Sequence, residues 1–403
     1  MRYREVLIGI IGVGLIVFAL SYFIYKWFFK KKKQTGMIIN IAMIILLFVG
    51  GGMFYLPAKE FVLLKKNIVK KNQVIVINNK KVTNQANAQE RSLLTTAYDT
   101  IENTHPSVVA FPNEWNGYKY WMAITAYPKG DATYENPHIF KSNDMVTWIP
   151  DTNNPLDQPK SEKFTKSGSP LQYDSDTHLI FNTEKNQLEM FWRYVDDVND
   201  RVTIFRRDST DGKTWSNKQV VYHAPRKEAD WVSPAFIKDA DGYKVWYVAD
   251  GYRIWYRESQ DGFNWSEPIE IKVPYEEKNM KHWHLDVQKT DEGYEMIVVG
   301  FKSNGSNSPS ERHTMSLYHS VSKDNKNWST LTPIIYPSQD KKQWDGKGLY
   351  RSAFIKENGT YYVFYSGIGF DRTRGVGLSY GADINQLKGI NYSNLSEFNQ
   401  TLK

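Results

Sequence analysis

The pattern Ser-x-Asp-x-x-x-Trp occurs four times in this chain, as SNDMVTW (142–148), STDGKTW (209–215), SQDGFNW (259–265) and SKDNKNW (322–328). The copies start 67, 50 and 63 residues apart. An irregular interval of that size is what a repeated supersecondary unit with variable loops produces, above all a propeller blade. The chemistry of each copy is that of a turn. Asp closes an Asx-type turn, the Gly or Asn that follows tolerates positive φ, and Trp on the next strand packs over the unit. The repeat therefore predicts that Trp148, Trp215, Trp265 and Trp328 are buried at equivalent places, and that Asp144, Asp211, Asp261 and Asp324 are structural.

Five aromatic, β-rich runs accompany the turns: YKYWMAIT (118–125), QLEMFWRYV (187–195), YKVWYVA (243–249), YEMIVVGF (294–301) and YYVFYSGI (361–368). Each is preceded by a shorter strand-like segment, HPSVVAF, DTHLIFN, SPAFIKD, HLDVQKT and RSAFIKE, beginning at 105, 176, 233, 284 and 351. Alternation of this kind reads as antiparallel hairpins. Five two-strand starts, most followed by a third strand and the Asp turn, make residues 96–403 an all-β, five-bladed β-propeller, with GVGLSYGAD (375–383) as a degenerate last turn. How the ring closes is not legible.

With its blade pattern, the chain resembles the five-bladed propeller glycoside hydrolases, the invertase, levansucrase and arabinanase group, over about residues 100–385. The phrases YENPHI, SDTHLIF, WVSPAF, WHLDV and LYRSAF are similar to those of bacterial glycosidase-like proteins of this fold. The resemblance implies that the first strand of each blade lines a central channel and begins at the substrate pocket. Aligned first strands then place His105, Asp176, Ser233, His284 and Arg351 in one ring, where a structural strand more often carries Val or Ile. Two residues further on come Ser107, His178, Ala235, Asp286 and Ala353.

Glycosidases of the group carry Asp, Asp and Glu at the first three ring positions. Only Asp176 matches here, and Ser233 cannot protonate a leaving group at neutral pH. The loop after the second strand of blade 1 would bring Asp131 and Glu135 to the pocket, making Glu135 the expected carboxylate partner of Asp176. His105 and His284 complete the expected catalytic set, because imidazole titrates near neutrality. Arg351, Asp286 and Ser233 are expected to hydrogen-bond sugar hydroxyls, and Trp231, Trp283 and Tyr350, with Tyr173 and Trp344 nearby, to stack on sugar rings. His105, Asp176, His284 and Asp286 are also acceptable ligands for a divalent cation. No local spacing supports one, so neither metal nor cofactor is expected.

Residues 6–25 and 37–56 are each about 20 residues without a charge, the length of a membrane-crossing helix, and 1–56 reads as a two-helix transmembrane hairpin. Residues 57–95 read as a membrane-proximal segment and linker. Before residue 93 there are 15 Lys+Arg against 3 Asp+Glu, and after it 36 against 41. The basic residues flank the apolar runs and leave the globular part mildly acidic, which argues against a nucleic-acid partner. Cysteine is absent, so disulfides and thiolate chemistry are excluded. The expectation is a membrane-anchored glycoside hydrolase-like protein with its propeller outside the cytoplasm, acting on cell-surface or exported polysaccharide. The alternative is a non-catalytic glycan-binding propeller serving polysaccharide assembly.

Overall fold

A computed structural model describes residues 75–77, 80–82, 84–228, 230–306 and 308–402. The two apolar runs of the expected membrane hairpin lie outside the described residues. Among the described residues, no helix is long and apolar enough to cross a membrane.

Among the described residues, twenty of the twenty-two strands form five four-stranded antiparallel sheets, each built from four consecutive strands. Blade 1 comprises Asn103–Trp115, Tyr118–Ala126, Pro137–Ser142 and Ile149–Pro150. Blade 2 comprises Gln172–Asn182, Gln187–Asp196, Arg201–Ser209 and Gln219–Pro225. Blade 3 runs through Val232–Asp239, Gly242–Ala249, Arg253–Ser259 and Ile269–Ile271. Blade 4 runs through Met280–Thr290, Gly293–Lys302, Ser316–Ser322 and Thr332–Ile335. Blade 5 consists of Gly348–Glu357, Thr360–Ile368, Arg374–Gly381 and Lys388–Gly389. A short ribbon, Ile75–Ile77 with Lys80–Val82, precedes them.

The second strands are buried on both faces, so they read as continuous apolar runs rather than as alternation. Their side chains fill the spaces between neighbouring blades. Trp121, Trp192 and Leu179 pack between blades 1 and 2, Phe191, Phe236 and Tyr247 between blades 2 and 3, and Trp246, Leu285 and Met296 between blades 3 and 4. Closure is made where the first strand of blade 5 packs on that of blade 1. A strap within the expected linker reinforces it. Ala86, Ala88 and Leu94 are buried in the core shared by blades 1 and 5. Ser92 N donates to Val376 O at 2.7 Å, and Ala88 N to the Tyr365 hydroxyl at 2.8 Å. Residues 86–94 are therefore part of the propeller, because the amides of Ala88 and Ser92 have partners in blade 5 and the side chains of Ala86, Ala88 and Leu94 are buried in its core.

The repeated turns form as their chemistry requires. Asp144 Oδ1 accepts from Val146 N and Thr147 N, and Asp211, Asp261 and Asp324 make the equivalent pair of bonds, all between 2.7 and 2.9 Å. The residue after each Asp is left-handed: Met145 (φ 59°), Gly212 (68°), Gly262 (79°) and Asn325 (60°). Asp383 closes the fifth turn through Asn385 N, with buried Leu387 in the place of Trp. Trp148 and Trp328 are buried, whereas Trp215 and Trp265 are half-buried. The expectation of four buried Trp thus fails at two copies. There the indole N–H finds no acceptor, while Trp148 Nε1 donates to Met145 O at 2.9 Å and Trp328 Nε1 to Asn325 O at 3.3 Å.

Candidate active site

Every first strand carries a β-bulge near its start. Register with the second strand is lost between Thr104 and Ser107, Ser175 and His178, Val232 and Ala235, His282 and His284, and Leu349 and Ser352. A bulge re-aims a side chain out of the pleat, and the ring residues sit at or beside these five bulges. His105 (φ 52°), Asp176 (φ 53°) and Ser233 (φ 56°) have left-handed backbones, a conformation that costs a non-glycine residue on the order of 1 kcal/mol and is concentrated at functional sites.

Three ring residues meet. His105 Nε2 lies 3.3 Å and His284 Nδ1 3.4 Å from Asp176 Oδ1, and the imidazole centroids are 5.1 Å apart. All three side chains are at most 3% exposed. Tyr350 covers them, its ring 4.3 Å from His284 and 5.5 Å from His105. Trp283 meets His284 edge-on at 5.3 Å.

Arg193, on the second strand of blade 2, was not anticipated. It is buried with Nη1 3.7 Å from Asp176 Oδ2 and pairs with Asp230 through Nη2. In the sequence it is one arginine in an aromatic strand, and nothing local marks it. Burial pushes the Asp176 carboxyl up, but His105, His284, Arg193 and Arg351 override this and hold it well below the usual carboxylate range. Burial pushes His105 down to about 4 and His284 well below its ordinary value. At neutral pH the site therefore holds a carboxylate and two neutral imidazoles, with the arginines as the permanent counter-charges.

Glu135 lies at the end of the 3-10 turn Ala132–Tyr134, whose start Asp131 caps by accepting from Thr133 N at 3.0 Å. Asp131 is thus engaged with its own turn. Glu135 is buried, and burial first and the charge of Asp176 second raise its carboxyl well above the usual range. Two carboxyls within electrostatic reach, one held well below and one pushed well above the usual range, are the arrangement that acid–base chemistry uses.

The remaining expected contacts go elsewhere. Trp231 is fully buried, stacked between Tyr222 at 4.3 Å and Tyr247 at 4.6 Å, so it packs the blade and meets no ligand. Ser233 is likewise enclosed. Its hydroxyl accepts from Leu285 N at 3.1 Å and donates to Leu285 O at 3.2 Å, bracing blade 3 to blade 4. Asp286 accepts from Phe354 N at 3.2 Å, is raised to about 6 by burial, and is not among the three converging donors. Arg351 is fully buried and donates to Pro234 O at 3.1 Å, with Nη2 also 3.1 Å from His178 Nδ1. It plugs the channel under the trio. Trp344 is stacked on Tyr365 at 5.4 Å and Tyr173 is half-buried. A cavity of about 710 Å³ opens at the far end of the channel, lined by Val108, Leu179, Phe236, Val287 and Phe354. It lies below the plug, away from the ring.

The trio fits a divalent cation. One atom from each of His105, Asp176 and His284 can be chosen so that all lie within 4.8 Å of one another. The facing atoms, His105 Nε2, Asp176 Oδ1 and His284 Nδ1, are buried and have no hydrogen-bond partner. The donor set of two imidazoles and one carboxylate suits Zn²⁺ or another first-row ion. One condition attaches to His105. Its Nδ1 accepts from Asp176 N at 3.1 Å, which places the proton of the neutral ring on Nε2. Freeing Nε2 for a cation requires the tautomer whose Nδ1–H points to Thr125 Oγ1, also 3.1 Å away.

No family profile matches the chain. The A type blood N-acetyl-α-D-galactosamine deacetylase of Flavonifractor plautii is 27% identical over 328 residues, covering 68% of this chain and 41% of the relative. The chain thus spans about two-fifths of that protein's length. Among solved structures, an N-acetylgalactosamine deacetylase from F. plautii in complex with blood group B trisaccharide superposes with TM-score 0.62 at 23% identity, over 75% of this chain and 94% of that one. An exo-1,5-α-L-arabinanase from a bovine ruminal metagenomic library matches with TM-score 0.51 at 13% identity, over 72% and 97%. A thermostable family-43 glycoside hydrolase matches with TM-score 0.51 at 14% identity, over 75% and 96%. The five-bladed propeller of this chain therefore has glycoside hydrolases and a deacetylase as structural neighbours.

Proposed function

We propose that the propeller hydrolyses N-acetyl groups on the amino sugars of a glycan, with a divalent cation held by His105, Asp176 and His284. The observation that carries this reading is the convergence of those three buried donors on one point, each with its facing atom unpartnered. They meet at the level where glycosidases of this fold carry carboxylates. The 27% identity to an N-acetylgalactosamine deacetylase supports the choice of bond.

A divalent cation held there supplies Lewis-acid polarisation of an amide carbonyl. Asp176 supplies the anionic donor, and Arg193 keeps it ionised while orienting it from behind. Glu135, its carboxyl pushed up by burial, would give its proton to the amide nitrogen as the C–N bond breaks and take one back from the water that adds to the carbonyl carbon, so that amide and water leave as acetate and amine. Tyr350 and Trp283 enclose the histidines and limit water. The pairing of an ionised Asp176 with a protonated Glu135 also supports a second reading, O-glycoside hydrolysis with Glu135 as the acid and Asp176 as the base. We further propose that residues 6–25 and 37–56 anchor the chain in the membrane with the propeller outside the cytoplasm, a reading supported by their length, their lack of charge and the lysines between them.

The test incubates the full chain with N-acetylated oligosaccharides, measuring free acetate and new reducing ends with added Zn²⁺ or Mn²⁺ and with a chelator. Acetate release that a chelator abolishes is the expected result. Reducing ends without acetate, insensitive to chelation, would replace the first reading with the second. Binding with neither product would make the protein a glycan-binding propeller.

A further inference from the structure

The pocket face of blades 4 and 5 carries four cations around one histidine. Arg312 lies next to last in the turn Pro309–His313 before the third strand of blade 4, Lys347 precedes the first strand of blade 5, and Arg372 and Arg374 sit where its third strand begins. Lys347 Nζ is 3.4 Å from His313 Nδ1. Burial and then the charges of Lys347, Arg374, Arg312 and Arg372 push the His313 pKa down. Among the described residues none of the four forms an ion pair with a carboxylate. Lys129 on the blade 1 loop is different, since Glu102 and Asp371 balance it.

Four cations without an ion-paired carboxylate, of which Arg312, Lys347 and Arg372 reach the surface, stand out in a region, residues 93–403, where acids outnumber bases by 41 to 36. The cluster also reaches the site. The Arg312 guanidinium lies 4.1 Å over the Trp283 ring, which meets His284. Arg374 lies 5.6 Å over Tyr127 and within electrostatic reach of Tyr350 and Glu135. Stacking on an aromatic face holds a guanidinium in place for the planar, two-point recognition of an oxyanion. Gathering like charges without a partner is unfavourable in the free protein, and an incoming anion relieves it.

We infer that the glycan taken by this site is acidic, and that the rim formed by Arg312, Lys347 and Arg372, with the buried Arg374 adding its charge from behind, seats its phosphate or carboxylate groups. The inference rests on the glycan reading given above and adds the charge class of the substrate.

The test measures affinity of the full chain, in detergent, for three probes of similar length: a polygalacturonate oligomer, a glycerol-phosphate polymer and a neutral N-acetylglucosamine oligomer. Binding is read directly, so the result does not depend on turnover. The expected result is that one or both acidic probes bind at least about tenfold more tightly than the neutral one, a difference of about 1.4 kcal/mol. The preference should vanish in salt on the order of 0.5 M. Whichever acidic probe wins tells carboxylate from phosphate. The Arg312→Gln/Lys347→Gln variant, with an unchanged melting temperature as its folding control, should lose about tenfold for the preferred acidic probe and less than about twofold for the neutral one. Equal wild-type affinity for acidic and neutral probes, or an acidic preference that survives in the variant, overturns the inference and leaves the glycan reading standing. Binding of none of the three overturns both.

Discussion

Asp176→Asn keeps the shape of the side chain and removes the one negative charge that Arg193, His105 and His284 share. A sequence-level view expects such a change to abolish hydrolysis and leave the fold untouched. The structure argues for a cost in stability as well. With Nη1 and Oδ2 3.7 Å apart, unit charges attract by about 4 kcal/mol at an effective dielectric of about 20. Part of this returns when the amide loses less hydration than the carboxylate, and Asp230 still faces Arg193. The net cost should be about 2–3 kcal/mol, toward the low end for a broken buried pair. For a propeller of this size that is a fall of roughly 3–5 °C in melting temperature. The assay is a double-mutant cycle of Asp176→Asn and Arg193→Gln, followed by thermal or urea unfolding beside acetate release. The double variant should be more stable than the sum of the single losses predicts, by about 2 kcal/mol, while activity is absent whenever Asn occupies position 176. Strict additivity would refute the claim that Arg193 holds the Asp176 charge. Turnover retained in Asp176→Asn would remove the site itself.

Two further outcomes are expected. Glu135 has a carboxyl raised in the folded state, so its contribution to stability is full below the unfolded pKa and is lost as pH rises toward the folded one. Glu135→Gln should therefore abolish turnover yet unfold at a higher temperature than wild type at pH 7, and unfolding curves from pH 4 to 8 should show the advantage growing above about pH 4.3, by at most about 1.4 kcal/mol per pH unit, until the folded-state pKa is passed; an advantage independent of pH would contradict a raised Glu135 carboxyl. For the proposed anchor, a protease added to intact cells should digest the propeller and a C-terminal tag, whereas a tag reached only after lysis would place the propeller on the other side.

Much of the architecture was legible because it rests on local chemistry that recurs. Asx-turn geometry and strand alternation are set within a few residues, so four copies of Ser-x-Asp-x-x-x-Trp and five strand pairs announced five blades before any contact was known. Alignment of the first strands likewise put His105, Asp176 and His284 at one level, since equivalent strands of a ring must present equivalent positions to its axis. Depth was another matter. The same alignment put Ser233 and Arg351 in the ring, but whether a ring side chain meets a ligand, a neighbouring blade or the channel plug depends on the bulge at its own strand and on what the next blade offers. Ser233 found the backbone of Leu285, and Arg351 found Pro234 and His178. Trp231 resembled an aromatic at the pocket mouth and became the middle of a stack.

The repeat, its turns, the number of blades and the ring order are each written in residues close together along the chain, which is why they could be read without a fold. It took the folded chain to show that a carboxylate and two neutral imidazoles share one dry point, that Arg193 arrives from another strand to hold the charge there, and that residues 86–94 strap the closure of blade 5 on blade 1. Those facts depend on side chains brought together from distant segments into a space from which water is excluded. There, burial and charge set protonation, and no spacing along the chain encodes them.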